Sequence, residues 1–312
     1  MQNLKKQYYK LKLKNTSKNN VWRVDNELMY EEVKDPRESC KELLYKNIKI
    51  NDKSELAEAF CDYFVNVASE PTRDLPKVKT VYNLRIRSRL NNFVPTTKAE
   101  VRKIINGPKL SCTIFVDGLS SKIIKYFVDN LVDPITKLVN LSMSQGVVPD
   151  EFKIAKVCAV FQTGNRSLPD NYRPISVVSA FSKILEAVVK NRLVNFLQEH
   201  NVLFKNQFGF RKNTGTLNAV VDVLFEIEKS RENKKGRGNF YRLKKGIDTV
   251  DHALLKFKMF QLGISGVALN WFCSYLEDRK LFVQIEDSAS DLRTLNIGVP
   301  QGFILGPVLF LI

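Results

Sequence analysis

The chain has 312 residues, 44% hydrophobic and 26% charged, enough apolar material for one large or two modest folded units and too much charge for a membrane-embedded protein. Lys and Arg total 49 against 33 Asp and Glu, a formal charge of +16. Such an excess favours an anionic partner, nucleic acid ahead of an acidic membrane surface, with plain solvation as the alternative use of the same charge.

Cys40, Cys61, Cys112, Cys158 and Cys273 are far apart, form no C-x-x-C pair and have only His200 and His252 to assist them, so neither a zinc site nor a disulfide framework is written here. The N-terminal MQNLKKQYYKLKLK lacks the apolar core of a signal peptide, and the longest apolar run, FILGPVLFLI, is too short to span a bilayer. An intracellular protein with no membrane partner is the expectation. Residues 1–20 carry six lysines and no acid, a basic arm that suits either solvent or nucleic-acid contact.

In SELAEAFCDYFVNVA, the spacing of Leu56, Ala59, Phe60, Tyr63, Phe64 and Val67 predicts a helix behind an N-cap at Ser54. Residues 69–95, with Pro71, Pro76 and Pro95, show neither helical nor strand period and read as a linker. A boundary there divides a basic, mostly helical region, 1–95, from a main domain, 96–312.

Thr97 and Glu100 form a capping box ahead of Val101, Ile104 and Ile105. Helical spacing through Ile123, Ile124, Phe127, Val128 and Leu131 is interrupted at Pro134 and resumes at Leu138, predicting two helices or one kinked helix. AKVCAVF reads as a strand. The clearest helix is AFSKILEAVVKNRLVNFLQEH, whose stripe from Phe181 through Leu185 and Val189 to Leu197 is core.

A further helix is predicted over about 216–231, a strand near 239–243, and helices near 250–262, closed by Gly263, and 266–277. LFVQIE and RTLNIGV alternate at period two across DSASD, a hairpin signal, before PQG opens the last apolar segment. Strands interleaved with helices, including antiparallel pairs, indicate an α+β fold.

Four blocks stand in one order: PDEFKIAKVCAVF…NYRPISVVSAFSKILEAVVKNRL at 149–193, NQFGFRKNTGT at 206–216, GIDTVDHALL, and GVPQGFILGPVLF. In order and spacing they resemble the reverse transcriptases of non-LTR, LINE-like (jockey-type) retrotransposons over roughly residues 97–312. Residues 20–68 look like the segment that joins endonuclease and polymerase domains in that family. The resemblance implies a right-hand polymerase, here fingers and a partial palm with an incomplete antiparallel sheet, preceded by a mostly helical N-terminal region. It implies RNA-templated DNA synthesis with two Mg²⁺ ions, and RNA or a DNA/RNA hybrid as partner. Such a site needs converging carboxylates, because the metals neutralise the triphosphate and activate the attacking hydroxyl.

Where the family pattern reads roughly F-x-D-x-x-x-A-F-D, this chain reads Phe240, Tyr241, Arg242, Leu243, Lys244, Lys245, Gly246, Ile247, Asp248. The catalytic Asp position falls on Arg242. A unit charge pair 4 Å apart is worth ~4 kcal/mol at an effective dielectric near 20, so a divalent ion facing Arg242 meets a repulsion of order 8 kcal/mol instead of an attraction. The chain ends at Ile312, inside the helix after PQG, so the family's Asp-Asp hairpin is expected to be missing, and a C-terminal polymerase region is a further expected partner. No intact catalytic residue, metal site or cofactor is expected for this chain.

Asp248, Asp251 and His252 have a spacing that could coordinate a metal or, equally, place Asp248 as an N-cap with Asp251 near the positive end of the helix dipole. By the same resemblance, Ile247 stands where the family has the aromatic residue that screens the sugar 2′-hydroxyl, and Ala159, Gln162 and Thr163 stand where its fingers block has a Pro and paired lysines. Arg173, in NYRPIS, is the expected triphosphate contact, with a structural ion pair as its alternative. Arg211 and Lys212 are the expected contacts to the template backbone, with a solvated pair as theirs. Pro300, Gln301 and Gly302 complete the nucleotide-facing set, followed by a bulky Phe303 where template and incoming base should pass. The run KSRENKKGRGNFYRLKK adds eight basic residues against one acid, and within it Arg242 is available to bind phosphate.

Overall fold

The computed structural model describes residues 40–67, 89–107, 115–211, 213–232, 246–299 and 301–312. The basic arm at 1–20, most of the 69–95 linker and the strand read near 239–243 lie outside the described residues.

The described chain begins with a hairpin absent from the sequence reading. Strands β1 (Leu43–Tyr45) and β2 (Ile48–Ile50) pair antiparallel across Lys46 and Asn47. Both loop residues have positive φ, 51° and 65°, the mirror-image turn whose twist matches paired strands. Helix α1 (Lys53–Asn66) is capped by Asp52, not by Ser54: the Asp52 carboxylate accepts from the amides of Ser54 at 2.9 Å and Glu55 at 3.0 Å. A carboxylate is favoured there because it satisfies unpaired amides and faces the positive end of the helix dipole.

Helix α2 (Lys98–Asn106) realises half of the capping box. The Thr97 hydroxyl accepts from the Glu100 amide, but the Glu100 carboxylate accepts from both terminal nitrogens of Arg192, at 2.5 and 2.6 Å. A two-pronged, charge-assisted contact outweighs one bond to an amide. Burial alone would raise the Glu100 pKa, but Arg192, Asn191 and Thr96 hold it below the usual carboxylate range.

The stretch 121–145 is two helices, α3 (Ser121–Tyr126) and α4 (Val128–Gln145), and the break falls at Phe127. Pro134 lies inside α4. It removes a single backbone bond, while buried Val132, Ile135 and Val139 keep the helix on its course.

Strand β3 (Ile154–Phe161) pairs antiparallel with β4 (Tyr172–Val177) in a register running from Lys156–Val177 to Phe161–Tyr172. The chain then passes through α5 (Ala180–Glu199), α6 (Thr216–Glu232), α7 (His252–Gln261) and α8 (Gly266–Leu276). It returns as β5 (Lys280–Ile285), which lies parallel to β3 with Ile154 opposite Lys280. The sheet is therefore mixed where an antiparallel one was expected, since a long helical crossover lets two strands run the same way.

The hairpin read at period two is present. β5 pairs antiparallel with β7 (Arg293–Thr294), and the intervening polar stretch contributes β6 (Ser288–Ala289). Helix α9 (Gly306–Leu311) ends the described chain.

Helices and sheet share one core, from Leu43 through Trp271 to Leu309. Helix α1 belongs to it: Leu56, Phe60 and Phe64 are buried, and Arg293 of β7 ties the helix down through Glu58 at 2.9 Å and Asp62 at 2.8 Å. By contrast, α6 leaves Leu217, Val221 and Leu224 exposed. No helix among the described residues is long and apolar enough to cross a membrane.

Beneath α9 lies a buried polar group. Arg279, 2% exposed, has its guanidinium between the rings of Tyr275, at 4.0 Å, and Phe303, at 4.5 Å, and its Nε donates to the Tyr275 carbonyl at 2.6 Å. Glu186, 1% exposed, accepts from the amides of Ile304 at 2.7 Å and Leu305 at 3.1 Å. Burial pushes the Glu186 pKa up, against the pull of Arg279 and the two amides. Leaving buried donors such as the Ile304 and Leu305 amides without their acceptor costs about 1–3 kcal/mol. Glu186→Ala is therefore expected to lower the unfolding free energy by about that amount in urea titrations, and Glu186→Gln, which keeps an acceptor for the amides, by less.

Candidate functional site

The loop between β7 and α9 is stitched to two neighbours. Gly298 and Gly302 have φ of 85° and 108°, a region that side chains other than glycine seldom adopt. Space forbids a side chain at either position as well: a Cβ on Gly298 would overlap the Asp248 carbonyl, and one on Gly302 the Ser176 carbonyl. Through this close approach, the Gly298 amide donates to the Val250 carbonyl at 2.8 Å and the Val299 amide to Ile247 at 3.0 Å.

Gln301 joins the two sides. Its Nε2 lies 3.0 Å from each carboxylate oxygen of Asp248, and its carbonyl accepts from the Ser176 amide on β4 at 2.7 Å. The edge of β4 is thus partly covered by the loop. The three segments enclose a cavity of about 30 Å³, room for about one water, lined by Val157, Pro174, Ser176, Asp248 and Gln301, with Phe64 of α1 on one side. Beside it Tyr63 donates to Asp170, and burial, then that carboxylate, push the Tyr63 pKa well up.

Asp248, Asp251 and His252 do not converge. Asp251, not Asp248, is the N-cap of α7, its carboxylate accepting from the Leu254 amide at 2.7 Å. Asp248 faces Gln301, and His252 donates from Nε2 to the Gly298 carbonyl at 2.8 Å. Among the described residues no three His, Cys, Asp or Glu side chains gather where an ion could sit. The alternative of a replacement metal site at these three residues is thereby corrected, because each has a separate structural partner.

The other expected site residues are spread over the fold. Arg173 is exposed on β4, opposite Val160 and next to Pro174 of the cavity wall, and no acid among the described residues is paired with it. Arg211 is half-buried and donates from Nη1 to the Phe204 carbonyl at 3.0 Å. Ile247 packs half-buried against the core. Gln301 and Gly302 are in the loop just described; Lys212, Arg242 and Pro300 lie outside the described residues. Phe303 does not stand in an open passage: it is 4% exposed, stacked on Arg279 and edge-on to Tyr275. The sequence reading missed Ser176, Phe64 and the bond from His252 to Gly298. Only the last had a signal, a histidine directly after a helix cap.

The family model described as reverse transcriptase (RNA-dependent DNA polymerase) matches residues 162–312. The chain is similar, at 28% identity over 221 residues, to a probable RNA-directed DNA polymerase from transposon BS of Drosophila melanogaster. It is similar, at 29% over 218 residues, to the RNA-directed DNA polymerase from the mobile element jockey of the same species. Each match covers 69% of this chain and 24% of the relative. A retrovirus-related Pol polyprotein from the type-1 retrotransposable element R2 of Popillia japonica is 28% identical over 232 residues, 70% of this chain and 30% of that protein.

Burial, ahead of nearby Lys256 and Arg279 and against the Gly298 carbonyl and Asp251, holds the His252 pKa below its ordinary 6.5. The neutral ring thus stabilises the fold above the unfolded pKa, and that contribution is lost as pH falls through the folded one. The melting temperature is expected to drop between about pH 7.5 and about pH 5.5, and His252→Gln to flatten that dependence in thermal melts.

Proposed function

We propose that this chain, whose residues 162–312 are a reverse transcriptase domain of retrotransposon origin, binds RNA, DNA or their hybrid and does not join nucleotides unaided. On this reading β3, β4 and the helices packed on them are fingers, and residues 246–312 are the part of a palm that carries the glycine loop. Arg173 faces the triphosphate side and Arg211 the template backbone, both through phosphate contacts that give affinity without reading sequence. Ile247, Gln301 and Gly302 form the nucleotide-facing wall; Pro300, expected from the resemblance to belong with them, lies outside the described residues.

The observation that carries the reading is an arginine, Arg242, at the position where the resemblance expects the first metal-binding carboxylate. Reverse transcriptases generally use Mg²⁺, and the described residues do not fit a pair of such ions, since Asp248 is bound by Gln301 and Asp251 caps α7. A guanidinium cannot act as a ligand. Loss of one ligand is enough to remove useful turnover, because ~1.4 kcal/mol of barrier is already tenfold in rate.

In fluorescence anisotropy with a primer–template, binding is expected at low salt and weakens steeply as salt rises, with Arg173→Gln reducing the slope by about one. Absence of binding at low salt would defeat the proposal. Primer extension in Mg²⁺ or Mn²⁺ should give no product; incorporation that disappears in Asp248→Asn would instead show a working site built around that carboxylate.

A further inference from the structure

A second concavity lies away from the glycine loop, at the end of α5. Helix α5 closes with Asn201 in the left-handed region, φ 52°, and the Val202 amide donates back to the Leu197 carbonyl at 2.9 Å, a helix stop that fixes the direction of the departing chain. Val202 and Leu203 pack against the core. The next residue, Phe204, is held by its backbone from two sides: its carbonyl accepts from the Gln207 amide at 3.0 Å and from Arg211 Nη1 at 3.0 Å. Yet the residue is 75% exposed.

Asn201, Val202, Leu203, Phe204, Lys205 and Arg211 together line an open pocket of about 470 Å³. That lies within the roughly 300–1,000 Å³ range of sites that take small ligands. The lining contains two cations and no acid, and the nearby Asp222 carboxylate accepts from Asn206 at 3.0 Å. An exposed aromatic residue beside two cations, one of them with most of its donors still available, suits a nucleobase with its phosphate. A paired base cannot offer its face, so the fitting ligand is a single strand.

We propose that this pocket holds one unpaired nucleotide of an RNA or DNA single strand, its base stacked on Phe204 and its phosphate on Arg211 and Lys205. The inference rests on the nucleic-acid reading above and adds to it a base-stacking subsite that the phosphate contact at Arg211 alone does not supply. The two bonds to its carbonyl fix where the Phe204 side chain leaves the backbone, which lowers the ordering cost of binding. Stacking of this kind tolerates any base, so no sequence preference accompanies it.

Phe204→Trp in the full chain provides an optical probe. Short oligo(U) and oligo(dT) should each quench its fluorescence, and a blunt duplex should not. Phe204→Ala is expected to weaken single-strand binding roughly ten- to hundredfold, with duplex affinity changed less than about twofold, and Arg211→Gln to reduce the salt slope by about one. If the wild-type chain binds single strands but Phe204→Trp is not quenched and Phe204→Ala binds equally well, the pocket is refuted while the nucleic-acid reading stands. If Phe204→Ala leaves strand binding intact and abolishes self-association in sedimentation, the ring is a protein contact and the pocket is likewise refuted. A wild-type chain that binds no nucleic acid at low salt overturns both.

Discussion

Two glycines set how closely the loop at 298–302 can approach its neighbours, and the arrangement around the central cavity depends on that approach. With a Cβ at either position, the Asp248 or Ser176 carbonyl would have to move. Without one, Gln301 reaches from the Asp248 carboxylate to the edge of β4 in a single residue. Short backbone bonds from Gly298 and Val299 hold the turn at 246–250 against the loop from the other side. The turn, the loop and the sheet edge are therefore one mechanical unit. Displacing any of them breaks bonds in the other two.

That unit rests on a buried charge. Glu186, from the middle of α5, satisfies two amides at the start of α9, where orphan donors and the helix dipole both favour an anion. Arg279 supplies the opposite charge from between two aromatic faces, a desolvated setting in which cation–π attraction counts for most. Phe303 is one of those faces. Its bulk, which by position alone suggests an obstructed passage, is used to cover a guanidinium. The order of the loop thus follows from residues that are distant in sequence and never touch the cavity.

Local patterns carried what depends on near neighbours. The long apolar stripe of α5, the strand at AKVCAVF, the Thr97 cap and the hairpin closed by β7 all follow from periodicity or from bonds within a few residues. Competition between groups was not legible. Asp52 displaced Ser54 as a cap, Asp251 displaced Asp248, and Arg192 took Glu100 from its capping box. In each case the deciding partner was either a second equally placed acid or a side chain far along the chain. The docking of α1 through Arg293 depends on pairs more than two hundred residues apart, and the parallel pairing of β3 with β5 on a crossover no period reveals. The β1–β2 turn left a faint trace in Lys46-Asn47, since asparagine accepts positive φ more readily than most residues.

Binding and catalysis fail differently when residues change. Two-metal chemistry needs several carboxylates converging on one point, and a single guanidinium among them replaces attraction for the ions with repulsion. Phosphate binding is a sum of separate contacts, each releasing its own counterions, so the loss or gain of one cation shifts affinity by a modest factor. A chain carrying sixteen more basic than acidic residues, as the formal charge of +16 records, would on the proposed reading keep that sum without the convergent site. On the proposed reading Arg242 illustrates the asymmetry: at the position where the resemblance expects a metal-binding carboxylate, it would add a positive charge to a run already rich in lysine and arginine. Under that proposal, affinity for nucleic acid can persist, and even rise, through the same change that would stop nucleotide transfer.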